Sequence, residues 1–259
     1  MFWPTNFAHR GASQRAPENT LEAFRLAAES GAGGLELDVH MTLDGHIVVI
    51  HDDSVARTTE GAGLVRDMTL QEVRCLDAGY RFTPDGGVTY PYRSRGVRVP
   101  ELGEILGEFP EHRVNIDIKE AQPDVENTLL KVIAAAGTKD RVLVVSEMSD
   151  VVGRFRKLSG GGISTGASWR EIEGFYRLSK QGMEYLVHPS YDALQVPIQY
   201  GGYKVVTPRF VGAAHSRGVR VDVWTIDEPE EMRRLLNLGV DVVMTNRPEV
   251  LSEVLREQR

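Results

Sequence analysis

Two histidines stand where short apolar runs end, His9 in "FAHRG" and His51 in "VVIHDD". A pair of imidazoles can act as base and acid around one scissile bond near neutral pH, because that is where the unperturbed ring titrates. Histidine is also common as a satisfied core or capping residue, so the pair gains weight only from its company. Read as a strand, "GLELDVHMT" puts Leu35, Leu37 and Val39 on one face and Glu36, Asp38 and His40 on the other. "RVNIDIKE" divides in the same way, with Val114, Ile116 and Ile118 opposite Asn115, Asp117 and Lys119. The polar faces therefore carry three carboxylates, and unpaired charges turned inward are costly. Two answers fit. One is a divalent cation, since three carboxylates form a hard oxygen set suited to Mg2+ or Ca2+ better than to zinc. The other is an ion-pair network with Arg10 and Lys119. The same two cations suit a substrate anion, Arg10 through bidentate hydrogen bonds and Lys119 as a point charge. Metal, imidazole pair and anion-binding cations together describe phosphoryl chemistry, in which catalysis is mostly positioning and charge stabilisation.

Such side chains need strands that end at one mouth. Short apolar runs alternate with amphipathic stretches almost to the C-terminus, the pattern of βαβ units around a parallel sheet. "NFAHRG" reads as a first strand and "NTLEAFRLAAESGA" as a helix with Asn19 at its N-cap, Glu22 three residues on and Gly31 at its stop. "HIVVIHDD", "RVLVVSE", "GISTGAS", "EYLVHPS", "VRVDVWTI" and "VDVVMTNRP" read as further strands. Roughly eight strand–helix pairs result, which fits an α/β fold of the (β/α)8 TIM-barrel type better than an open sheet. The segment from about 53 to 99, with "TTEGAG", "TPDGG" and "YPYRSRG", is too long and too rich in Gly and Pro for an ordinary connection. It reads as a cap inserted after the second barrel strand region, over the catalytic mouth, within a single domain spanning 1–259. The competing reading is a surface elaboration with no part in the site.

At 259 residues, one such barrel accounts for the whole length. The net charge of −7 argues against a surface that tracks nucleic-acid phosphates. No apolar run is long enough to span a bilayer, so no stable membrane insertion is expected. No basic and apolar leader precedes the first motif, which makes a cytoplasmic location the expectation. The single cysteine, Cys75, excludes an internal disulfide framework and supplies no metal-ligand spacing. Nothing in the pattern specifies an oligomeric state.

"HRG" followed by "APENT", then "ELDVHMTLDGHIVVIHDD", "RTTEGAG", "VPELGEIL", "NIDIKE", "VWTID" and "VDVVMTNRP" resemble, in order, the successive motifs of the glycerophosphodiester phosphodiesterase family. The resemblance runs over nearly the whole chain. It implies a TIM barrel with a small inserted cap, one divalent cation, and hydrolysis of small-molecule glycerophosphodiesters, such as glycerophosphocholine or glycerophosphoethanolamine, to glycerol 3-phosphate and an alcohol. Carried over by motif, the acid/base pair falls on His9 and His51, phosphate binding on Arg10 and Lys119, and the metal ligands on Glu36, Asp38 and Asp117. The family's usual residue at the last position is Glu, so Asp117 is one methylene shorter. Glu18 in "PENT" belongs to the motif as a supporting residue, with a plain helix-start role as its alternative. Trp224 fits an apolar wall beside the glycerol, or a core position. His40 faces the same way as the ligands but has no role in the family. His46, His112, His188 and His215 read as ordinary. "FTPDGGVTYPYRSRG" and "YDALQVPIQYGGYKVVT" resemble relatives that accept lysolipids, so a lysophospholipase D with transient lysolipid contact is the alternative activity. A catalytically silent module that senses phosphodiesters is the alternative from another class.

Overall fold

The computed structural model describes residues 3–122 and 124–258. Eight parallel strands form the barrel: β1 (Asn6–His9), β2 (Gly34–Met41), β3 (Arg113–Ile118), β4 (Val142–Val145), β5 (Ser164–Thr165), β6 (Ala193–Val196), β7 (Arg220–Val223) and β8 (Val242–Thr245). A helix follows each: α1 (Leu21–Glu29), α2 (Leu102–Glu108), α3 (Val125–Ala135), α4 (Ser149–Leu158), α5 (Trp169–Lys180), α6 (Pro208–Ser216), α7 (Pro229–Asn237) and α8 (Pro248–Glu257). The hydrogen-bonded order is β5-β4-β3-β2-β1-β8-β7-β6, and a parallel bridge between Gly166 and Ala193 closes the ring. This is a TIM barrel, and all eight strands point their C-terminal ends at one mouth.

Strand alternation sorts the side chains as the pleat requires. Leu35, Leu37, Val39, Val114, Ile116 and Ile118 pack outward against Phe24, Ile105, Leu129 and Phe155 of the surrounding helices. Around the other half, Leu194, Val196, Val221 and Val243 pack against Phe175, Phe210 and Leu235. Inside, Phe7, Leu143, Val145, Val242 and Met244 plug the barrel together with Trp3. Gly34 makes room for that plug, because a Cβ built on it would stand 2.2 Å from the Phe7 ring. Gly34→Ala is expected to destabilise the fold by about 1–3 kcal/mol, as overpacking in a closed core does. A thermal melt matching that of the unmodified protein would show that the ring can move aside.

The connection between β2 and α2 holds the inserted segment, and it begins earlier than the Gly/Pro-rich stretch suggested. The chain turns at Thr42–His46 and returns as a strand, Ile47–Val49, antiparallel to β2, so "HIVVIHDD" is no barrel strand. Two 3-10 turns (Val55–Arg57 and Val65–Asp67) and a short helix (Leu70–Arg74) follow. Val48, Ile50, Val55, Val65, Val73, Ala78, Val97 and Val99 give this segment a hydrophobic cluster of its own.

Two further expectations are corrected. "EYLVHPS" is not a strand: Glu184–Leu186 is a 3-10 turn with Tyr185 and Leu186 exposed, and the sixth barrel strand is Ala193–Val196. His188-Pro189 ends that apolar run before it can pair, while "ALQV" is short enough to be overlooked before Pro197. The N-cap of α1 is Thr20, whose hydroxyl accepts from the amide of Ala23. Asn19 instead adopts a left-handed backbone (φ 57°), which Asn tolerates better than most residues. Among the described residues, no helix is long and apolar enough to cross a membrane.

Candidate active site

β2 and β3 run in register, with Asp38 beside Asp117 and Glu36 beside Asn115. Like charges side by side on one face repel, and the neighbouring cations answer them. Lys119 Nζ lies 2.6 Å from Asp117 Oδ2 and 3.2 Å from Asp38 Oδ1. Arg10 Nε lies 3.1 Å from Asp38 Oδ2, and the Asn19 side chain donates to the same oxygen at 2.9 Å. The left-handed turn at Asn19 therefore serves the site and not the helix. Arg10 is also left-handed (φ 56°), and its amide donates to Glu36 Oε2 at 3.0 Å. Backbone strain of this kind persists where its surroundings over-determine it.

The carboxylates are not equally satisfied. Burial pushes Asp38 up, but Lys119, Arg10 and Asn19 outweigh it and hold the group below its ordinary value. Burial pushes Asp117 up to about 6, with the charge of Asp38 adding to it against the pull of Lys119. Burial also drives Glu36 well above its ordinary value, reinforced by Asp38 and Asp117. Asp117 Oδ1 is buried without a hydrogen-bond partner. An orphaned carboxylate oxygen beside an under-neutralised glutamate is a donor set that fits a hard divalent cation. Among the described residues, however, no three His, Cys, Asp or Glu side chains converge on one metal-sized point. Lys119 instead bridges Asp38 and Asp117.

The two histidines are held from opposite sides. His9 Nδ1 is 2.8 Å from Asn246 Oδ1. The Asn246 amide donates from Nδ2 to Asp227 Oδ2 at 2.7 Å, which turns its Oδ1 toward His9. An amide oxygen only accepts, so Nδ1 of His9 carries the proton and Nε2, 4.0 Å from Glu36 Oε2, is the free acceptor. Burial and the Arg10 charge hold His9 below its ordinary value. His51 Nδ1 donates instead to Asp52 Oδ1 at 2.6 Å. Arg57 grips Asp52 through Nε at 2.5 Å and Glu18 through Nη1 and Nη2, both at 2.8 Å. Hydrogen bonding to Arg57 pulls Asp52 down to about 2. Glu18 in turn accepts from Arg10 at 3.1 Å. His40, buried beneath, donates from Nε2 to the carbonyl of His51 at 3.1 Å.

His9, Arg10, Glu36, Asp38, His51, Asp117, Lys119 and Trp224 all line one cavity of about 590 Å³ at the C-terminal mouth. Glu18 lies behind it, in a smaller cleft with Asp227 and Asn246. Of the inserted segment, His51 alone is among the residues lining this cavity. A more open cleft of about 820 Å³ crosses the insertion, lined by residues such as Arg74, Asp77 and Arg98 and by none of these groups. We place the chemistry in the smaller cavity, because the imidazoles, cations and perturbed carboxylates meet there. Ser146 lines it too, but its hydroxyl donates to the carbonyl of Ile118 at 2.8 Å. Asp52, Arg57, Asp227 and Asn246 are not singled out by the sequence, where Asn19 reads as a helix cap and His40 is given no role. Asp52, Arg57, Asp227 and Asn246 sit inside "HDD", "RTTEGAG", "VWTID" and "TNRP", where neighbourhood to the motif was the one available signal.

A family model described as "Glycerophosphoryl diester phosphodiesterase family" matches residues 9–250. A glycerophosphodiester phosphodiesterase of Caldanaerobacter subterraneus subsp. tengcongensis is 36% identical over 258 residues, covering 96% of this chain and 97% of the relative. Among solved structures, the glycerophosphoryl diester phosphodiesterase domain of a Mycobacterium tuberculosis protein superposes with a TM-score of 0.85 at 22% identity, covering 98% of this chain and 99% of the other. An Oleispira antarctica phosphodiesterase in complex with the product sn-glycerol-3-phosphate superposes with a TM-score of 0.78 at 24% identity, covering 98% and 97%.

Proposed function

The chain belongs to the glycerophosphoryl diester phosphodiesterase family, and from that premise we propose that it hydrolyses glycerophosphodiesters to glycerol 3-phosphate and an alcohol by acid/base catalysis between His9 and His51. The observation that carries this reading is the opposed pair of imidazoles, one with a free Nε2 and one backed by a carboxylate, in the cavity that also holds Arg10 and Lys119. Ser146 is engaged with backbone, so among the described residues lining the cavity no serine or cysteine stands free as a nucleophile. The substrate supplies one: glycerol carries a hydroxyl on the carbon next to its phosphate-bearing carbon, at high effective concentration.

His9 Nε2 takes the proton of that hydroxyl as its oxygen bonds to phosphorus. His51 protonates the departing alcohol as the phosphorus–oxygen ester bond breaks. The resulting cyclic glycerol phosphate is opened by water with the two roles exchanged, His51 receiving the proton of water and His9 returning its own to the glycerol oxygen. Asp52 orients His51 and balances the charge its ring carries when protonated. Asn246 holds His9 in the tautomer that leaves Nε2 free. Arg10, braced by Glu18, grips the phosphate oxygens. A divalent cation on Glu36, Asp38 and Asp117 would supply further positive charge to those oxygens.

The test is product analysis. Glycerophosphoethanolamine should yield glycerol 3-phosphate and ethanolamine, whereas binding of the intact diester with no release of either product would leave a silent binding module. A 2-deoxy analogue should turn over at least ~10²-fold more slowly, a modest share of the gain available from proximity. Cleavage of that analogue at the normal rate would exclude the cyclic route in favour of direct attack by water.

A further inference from the structure

Strand order divides the mouth into two halves. The ends of β1, β2 and β3 supply His9, Arg10, Glu36, Asp38, Asp117 and Lys119. The loops after β4, β5, β6 and β7 supply Glu147, Trp169, Tyr200 and Trp224. A phosphate belongs to the first half, so both organic arms of a diester must extend toward the second. The acid-side histidine fixes which arm goes where. Beyond β2, which leads into the His51 loop, the ring of strands continues through β3 to β4 and β5, toward Glu147 and Trp169. Beyond His9 on β1 it continues through β8 to β7, toward Trp224. The leaving alcohol, protonated by His51, therefore lies on the side of Glu147 and Trp169, and the glycerol arm lies toward Trp224.

The chemistry of that side is specific. Trp169, the first residue of α5, and Tyr200, at the tip of the hairpin Gln199–Tyr200/Tyr203–Lys204, hold their ring centroids 4.4 Å apart at a 59° tilt. They are 36% and 57% exposed, so part of each ring is accessible at the rim. Glu147 stands in the same lining, close enough to Asp117 to push its carboxyl up, and makes no ion pair among the described residues. A bare carboxylate penalises an acyl chain laid over it. Tilted aromatic faces and a carboxylate lining one cavity instead offer the contacts that hold an alkylammonium. Resting on the phosphodiesterase reading above, we propose that Glu147, Trp169 and Tyr200 form a leaving-group subsite for a cationic alcohol, quaternary ammonium best of all.

The experiment compares glycerophosphocholine with glycerophosphoglycerol, whose leaving alcohol is neutral. The subsite predicts a kcat/KM ratio of about tenfold in favour of the choline diester, the scale of one or two partly exposed cation–π and carboxylate contacts. Glu147→Gln and Trp169→Ala should each shrink that ratio at least threefold, the loss falling more heavily on the choline diester. A wild-type ratio near one would overturn the subsite, as would variants that depress both substrates in step. If the wild-type enzyme hydrolyses neither diester, the phosphodiesterase reading itself fails and the subsite falls with it. Hydrolysis of both without discrimination removes the subsite alone.

Discussion

His9→Ala and His51→Ala are each expected to lower kcat by roughly 10²–10⁴, with KM changed by only a few-fold because proton transfer is realised in the transition state. On the proposed mechanism the two losses differ in character. His9 has its Nδ1 proton committed to Asn246, so replacing it removes the group poised to accept the attacking hydroxyl's proton. His51 has its Nδ1 committed to Asp52, so replacing it removes protonation of the leaving alcohol. A substrate whose alcohol departs without help, such as a nitrophenyl ester of glycerol phosphate, should therefore rescue the first step, read as a burst of nitrophenol, in His51→Ala and not in His9→Ala, while ring opening still lacks its base. Equal rescue of both variants would contradict the assignment of acid and base, and wild-type kcat in either would remove that histidine from the chemistry.

Removal of divalent cations is the second large effect. Thorough chelation followed by dialysis is expected to abolish turnover, and Mg2+ or Ca2+ to restore it, because Glu36 and Asp117 are left with unmet charge by the residues around them. Direct titration of metal into the protein by calorimetry should show affinity weakened about tenfold or more in Asp117→Ala and retained in Asp117→Glu. Undiminished activity after chelation would mean that Lys119 and Arg10 suffice to neutralise the site, as the contacts of Lys119 with Asp38 and Asp117 permit.

The barrel was legible in the sequence because most of its strands are apolar on alternate positions and its helices amphipathic. Where it was misread, local composition pointed the wrong way. "EYLVHPS" has more apolar residues than "ALQV", yet Pro189 denies it a ladder partner, while Leu194 and Val196 gain full burial. Asn19 and Thr20 are both good caps by type, and it is the claim of Asp38 on the Asn19 side chain that settles which one caps. Glu36, Asp38, Asp117 and Lys119 could be placed by strand parity alone. Asn246 could not, since its bond to His9 joins positions 237 residues apart. Arg57 could not either, because an exposed arginine on a loop carries no periodic signal.

Arg57 ties the inserted segment to the barrel through Glu18 while holding Asp52 behind His51. Half of the proposed acid/base pair thus travels with the insertion and the other half with β1, so the two are not independent modules. Anyone transplanting this segment onto a related barrel, or trading it for a shorter loop, exchanges the proposed proton donor along with the scaffold. The recipient must offer a carboxylate at the position of Glu18, or the incoming guanidinium arrives with half its grip missing.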